Sequence, residues 1–126
     1  IGEGQISYAG EGAAARGRLA LDIVSERLAL RGVPFDDLKL DLIGIDAMHG
    51  PADERATPYE VRVRVAGRTR AAVDAERIAN EVETLYTNGP AGGAGASGSV
   101  REVLAVKTTF VPRDRVVCRV EIERVP

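Results

Sequence analysis

Tyr59-Glu60-Val61-Arg62-Val63-Arg64-Val65 alternates valine with charge along its length. Successive side chains of an extended chain point to opposite faces, so the valines share one face and Glu60, Arg62 and Arg64 share the other. One face of this strand belongs on a core and the other in polar surroundings. Antiparallel sheets supply that asymmetry, whereas parallel sheets are covered on both sides.

The flanking sequence predicts how the apolar face is covered. Downstream, Thr69 is a plausible N-cap, and Ala75, Ile78, Ala79, Val82, Leu85 and Tyr86 form one helical stripe, closed by Asn88-Gly89 and Pro90. Upstream, residues 38–46 read as a strand that alternates first and then turns apolar on both faces, as a more central strand does. Residues 13–30 read as a helix, with Leu19 and Ile23, and Ala20, Val24 and Leu28, at helical spacing. Gly17 costs that helix roughly 1 kcal/mol relative to alanine, so packing must hold it, and Gly32 followed by Pro34 stops it. Gln5-Ile6-Ser7-Tyr8 is a short first strand bounded by Gly4 and by Gly10-Glu11-Gly12. Residues 102–111 and 116–124 read as a final antiparallel hairpin around Pro112-Arg113-Asp114-Arg115. Its last strand sets Val116, Cys118, Val120 and Ile122 against Arg119, Glu121 and Glu123.

The order is β-α-β-β-α-β-β. It predicts an α+β two-layer sandwich of ferredoxin-like split βαβ order, with two helices on one face of a mostly antiparallel sheet and one strand appended. On the polar face, Arg62 and Arg64 are expected to pair with Glu121 and Glu123, or to meet a neighbouring domain.

With 126 residues the chain is one domain. A net charge of −2 offers no attraction to nucleic acid or an anionic membrane. The only aromatics, Tyr8, Phe35, Tyr59, Tyr86 and Phe110, are too few for base-stacking platforms. No apolar run approaches the length of a bilayer span. Cys118 is alone, which excludes an internal disulfide and suits a reducing, cytoplasmic compartment. It is expected to be a small buried hydrophobe. The chain starts Ile1-Gly2-Glu3 and ends Val125-Pro126, which leads us to expect a piece of a longer polypeptide whose site is shared with the remainder.

The densest glycine segment is Thr87-Asn88-Gly89-Pro90-Ala91-Gly92-Gly93-Ala94-Gly95-Ala96-Ser97-Gly98-Ser99. It runs from a helix to a strand, so a helix C-terminus, which disfavours anions, opens it. No lysine is present to reach a phosphate, so a Walker-type loop is excluded. Two readings remain: a mobile connector, or an ordered loop whose amides form a nest with Asn88, Ser97, Ser99 and Arg101 as donors. Gly10-Glu11-Gly12-Ala13-Ala14-Ala15 matches G-x-G-x-x-A between a strand and a helix. Glu11 stands where a pyrophosphate would sit, and the next strand-end acid, Asp46, is too distant in sequence for a dinucleotide site. Close packing of helix on sheet explains these small residues better. Asp46 and His49 follow a strand end and form the candidate acid/base pair; no metal-ligand set is evident.

Gly2-Glu3-Gly4-Gln5-Ile6-Ser7-Tyr8-Ala9-Gly10, Asp41-Leu42-Ile43-Gly44, Leu85-Tyr86-Thr87-Asn88-Gly89-Pro90-Ala91-Gly92-Gly93 and Val100-Arg101-Glu102-Val103-Leu104 together resemble the acyclic terpene utilisation protein A (AtuA) family. The resemblance covers the C-terminal portion of that family's core region. It implies a bacterial, cytoplasmic protein linked to catabolism of branched terpenoid alcohols and acids as coenzyme A thioesters, and carries over no catalytic residue. The expected function is a C-terminal domain that lends backbone amides to a cleft or interface shared with the rest of its polypeptide. The amides come from the Gly89–Ser99 loop, Gly92 and Gly93 included, and from the turn running from Glu3 through Gly10 to Gly12. No cofactor is implied, although a coenzyme A thioester is a possible substrate. Two alternatives stand beside this: hydration or lyase chemistry on an acyl thioester with Asp46 and His49 as acid/base groups, and a homo-oligomer joined through the mixed-charge sheet face.

Overall fold

The computed structural model describes residues 1–48, 57–104 and 106–123. Its elements run β1 (Gly2–Ala9), α1 (Ala13–Leu30), β2 (Asp37–Ile43), β3 (Glu60–Arg68), α2 (Ala72–Asn88) and β4 (Gly93–Val100), followed by a 3-10 turn at Arg113–Arg115. The four strands form one antiparallel sheet in the order β2-β3-β1-β4. This is the split βαβ arrangement of an α+β sandwich. The valines of β3 fall on the helix side as their alternation requires: Val61, Val63 and Val65 are buried with Ile6, Tyr8 and Leu42, beneath Ala20, Val24 and Leu28 of α1 and Ile78, Val82 and Leu85 of α2. Gly32, at φ 59°, ends α1 in the left-handed conformation that lets its own N–H and that of Val33 return to Ala29 and Leu28.

The helices reach the sheet through missing side chains. On β1, Gly2 and Gly4 share the helix-facing row with Ile6 and Tyr8. A Cβ on Gly4 would stand 2.5 Å from Val82 Cβ and 2.9 Å from the Ala79 carbonyl oxygen, and one on Gly2 would overlap the Ala75 backbone. On α1, a Cβ on Gly17 would meet Leu42 Cδ1 at 2.6 Å. Gly4 therefore does not bound β1 as expected. It lies inside an eight-residue central strand and lets α2 rest on it.

Further expectations change for physical reasons. β2 is an edge strand, because β3 folds back between it and β1. Thr69 does not cap α2; its hydroxyl donates to the Ala71 carbonyl and Ala71 occupies the cap position. The glycine segment is neither connector nor loose loop beyond Gly92. Residues 93–100 form β4, hydrogen-bonded along β1, with a bulge opposite Ile6 where Gly95 takes φ 63°. Small side chains suit that position, since a Cβ on Gly98 would already touch Ala79 Cβ at 3.3 Å. The expected hairpin of residues 102–111 and 116–124 does not add to this sheet. Its described residues form no strand and are exposed, so the seventh element is absent among them, and Cys118 is exposed rather than buried. Leu19 and Tyr86 are exposed too. Glu121 and Glu123 accordingly do not meet Arg62 and Arg64.

One buried charge escaped the apolar stripe. Glu81 of α2 is 1% exposed and is held by Arg27 Nε and by Arg31 Nη1 at 2.9 Å, both from the end of α1. Replacing both arginines by methionine leaves this carboxylate buried without a cation, and urea unfolding should show a loss of about 3 kcal/mol. Gly4→Val should cost about 1–3 kcal/mol by overpacking, while Gly10→Ala, where a Cβ meets nothing, costs only the left-handed strain of about 1–2 kcal/mol.

Candidate functional site

Strand register gathers three turns at one end of the sheet. Ala9 lies opposite Glu60, Tyr8 opposite Gly93 and Ile43 opposite Arg62. The ends of β1 and β2 and the starts of β3 and β4 therefore share an edge, which carries Gly10–Gly12, Gly44–Asp46 and Gly89–Gly92. The first turn is pinned from both sides. The Gly10 N–H donates to the Tyr59 carbonyl at 2.7 Å, and Arg16 donates to the Ala9 and Glu11 carbonyls, each at 2.6 Å. Gly12 caps α1 in the left-handed conformation with no side-chain acceptor for the first helical amides.

Behind this turn lies Tyr8. Its side chain is fully buried, its ring runs beside Gly93, and its hydroxyl has no hydrogen-bond partner among the described residues. Arg16 Nε is likewise buried without one. Burial pushes the Tyr8 phenol above its ordinary pKa, outweighing the opposite pull of the Arg16 charge. The group is therefore a neutral donor at physiological pH. Most buried polar groups are paired, so an orphan hydroxyl next to a glycine turn marks this end of the molecule.

The sequence-derived candidates divide between separate places. Gly10, Gly12, Asp46, Asn88, Gly89, Gly92 and Gly93 belong to the turn end. Asp46 is engaged locally, its Oδ1 accepting the Leu42 N–H at 2.8 Å, while His49 lies outside the described residues. The Gly89 N–H closes α2 on the Leu85 carbonyl, and Gly92 holds φ 80°. Ser97 and Ser99 sit opposite Gln5 and Glu3 on the helix-free face of the sheet. Arg101 is at the far end, where its N–H donates to the Ile1 carbonyl and its carbonyl accepts from the Ile1 nitrogen.

The helix-free face carries a polar network that crosses all four strands. Arg64 donates to Glu3 Oε2 at 2.6 Å and to Asp41 Oδ2 at 2.9 Å, and Lys39 reaches Asp41 Oδ1 at 3.3 Å. Gln5 donates to Glu3 and accepts from Arg62, which continues to Ser7 and Ser97. Sequence reading missed Tyr8, Arg16 and Asp41 as members of these clusters. Alternation in β1 and β3 was the available signal for the face, but the pairing depends on β3 lying between β1 and β2.

Together these features define the class: an α+β sandwich domain with a glycine-turn end over an orphan phenol and an opposite sheet face closed by its own charges. Residues 1–122 match the family described as acyclic terpene utilisation family protein AtuA, and the chain belongs to that family. No curated protein and no solved structure matches it. No described helix is long and apolar enough to cross a membrane.

The Arg64 hydrogen bonds hold Glu3 below its ordinary value of 4.5, outweighing the upward push of burial. A carboxylate depressed in the folded state adds stability above its unfolded pKa and loses it as pH falls through the folded one. Urea midpoints of the wild type should therefore drop from about pH 5 downward. Glu3→Gln should start lower at neutral pH and show a flatter acid limb.

Proposed function

We propose that this α+β domain forms one wall of a ligand cleft in its AtuA-family protein, the other wall coming from the remainder of the polypeptide. The ligand class is an acyl thioester of an acyclic terpenoid acid, in keeping with the family's link to acyclic terpene utilisation. The observation that carries the proposal is the Tyr8 hydroxyl, a buried neutral donor without an acceptor, beside turns whose glycines leave backbone exposed. The hydroxyl is buried in the free domain, so a ligand carbonyl or phosphate oxygen satisfies it only where the turn end moves aside to admit it; α1 opens there without a side-chain cap, its Ala13 N–H already donating to the Gly10 carbonyl at 3.1 Å. Asp46 and His49 keep only the sequence-based argument for acid/base chemistry. The exposed, unpaired Cys118 suits a reducing, cytoplasmic setting.

The test is thermal unfolding of the full-length protein with coenzyme A thioesters and with free terpenoid acids. A ligand that binds only the native state raises Tm by mass action. Tyr8→Phe keeps the ring and removes the orphan hydroxyl, so the free variant should be at least as stable as the wild type. Its ligand-induced rise in Tm should shrink. An unchanged rise in Tyr8→Phe contradicts the proposed cleft.

A further inference from the structure

The start of α1 holds donors that lack acceptors. Tyr8 is fully buried with its hydroxyl unpartnered, and the buried Nε of Arg16 is unpartnered among the described residues too. The two groups are neighbours: burial raises the pKa of the Tyr8 phenol and the Arg16 charge pulls it back. Ala13 and Arg16 return their N–H groups to the Gly10 and Gly12 carbonyls. Between them, the N–H groups of Ala14 and Ala15 find no acceptor among the described residues, and no side chain caps them. All of these orphans are donors, and buried polar groups are seldom left so.

Charge is out of balance at the same place. Arg16 makes no ion pair among the described residues. Its guanidinium lies over Gly12 and bonds only to the Ala9 and Glu11 carbonyls. Glu11 is exposed and meets Arg16 through that carbonyl, not through its carboxylate. The space above the turn is open, because a Cβ on Gly10 would touch nothing within 4 Å and one on Gly12 would reach only Arg16, at 3.6 Å. Packing of helix on sheet therefore does not explain these two glycines, contrary to expectation; their left-handed φ of 87° and 72° does.

A neutral carbonyl oxygen leaves the guanidinium charge unmatched, and so does a trapped water. A phosphate brings several acceptor oxygens together with the opposite charge, and its bonds to arginine are stronger than those of a carbonyl. On the reading of a ligand cleft given above, on which this rests, we infer that the α1 end takes the phosphate-bearing half of a thioester ligand and that Arg16 is the residue that selects it. The guanidinium leaves the Ala9 and Glu11 carbonyls for the phosphate. The Gly10–Gly12 turn that it held shut then moves aside from the Tyr8 hydroxyl. The uncapped start of α1 adds the Ala14 and Ala15 amides and the favourable end of the helix dipole.

Isothermal titration of the full-length protein separates the two halves of the ligand. One branched acyclic acid is offered as its coenzyme A thioester, as its pantetheine thioester, which has no phosphate, and as the free acid. The wild type should bind the coenzyme A thioester about tenfold tighter than the pantetheine thioester. Arg16→Gln should erase that preference with little change in affinity for the pantetheine thioester, and Arg16→Lys, which keeps the charge but not the fork, should restore part of it. Ala15→Asp decides the matter if the Arg16 variants fail to fold. An exposed acid in the first turn suits the helix dipole, so stability should hold or rise, yet the preference should fall. A preference that survives Arg16→Gln or Ala15→Asp overturns the inference and leaves the cleft standing. Arg16→Gln weakening both thioesters alike also overturns it, since Arg16 is then only a brace of the turn. An Arg16-dependent affinity for the free acid equal to that for the coenzyme A thioester overturns it by making a carboxylate the anion. Binding of neither thioester removes the cleft itself, and the phosphate site with it.

Discussion

The distance between α2 and the sheet governs this domain. Gly2 and Gly4 on β1, Gly67 on β3 and Gly98 on β4 lie beneath α2, and a Cβ at each would touch or overlap it. A helix seated that closely buries Ala75, Ile78, Val82 and Leu85 against the strands. It also brings Glu81 to the end of α1, where Arg27 and Arg31 close around its carboxylate. The glycines each cost backbone entropy that a larger residue would not. Apolar contact over the whole length of α2 offsets that cost.

With both helices on one side, the other face of the sheet satisfies itself. Arg64 divides its guanidinium between Glu3 and Asp41, so strands β1, β3 and β2 are joined by one side chain. Arg62 extends the chain of bonds to Ser97 on β4. The face is therefore polar yet only partly hydrated, and the carboxyl of Glu3 stays ionised to lower pH than usual. The charges of this face are thus partnered within the domain, while the outer edge of β4 meets no strand among the described residues.

The legible part of the fold was whatever repeats with a period. Alternation in β3 and helical spacing in α1 and α2 placed both layers, and the bounds of α1 agree with the expected residues 13–30. Glycine misled in both directions, because its local meaning is a boundary and its tertiary meaning here is close packing. Gly4 reads as the boundary before a strand that in fact runs from Gly2, and Gly93 to Gly98 read as a loop although they form β4. The reverse error fell on residues 102–111 and 116–124, whose described part has good strand propensity yet forms no strand. Of the candidate site, the turn glycines were readable as a group. The Tyr8 hydroxyl was not, since its lack of a partner depends on what the fold places around it.

Everything rests on the segment from Gly93 to Val100 being a strand held between β1 and α2. Residue-resolved amide hydrogen exchange on the full-length protein tests this most directly. The β4 amides that bond to β1 should exchange slowly, comparably with β1 itself, and those of Gly89–Gly92 faster. Uniformly fast exchange across Gly93–Val100 would make the segment a connector and remove it from the sheet.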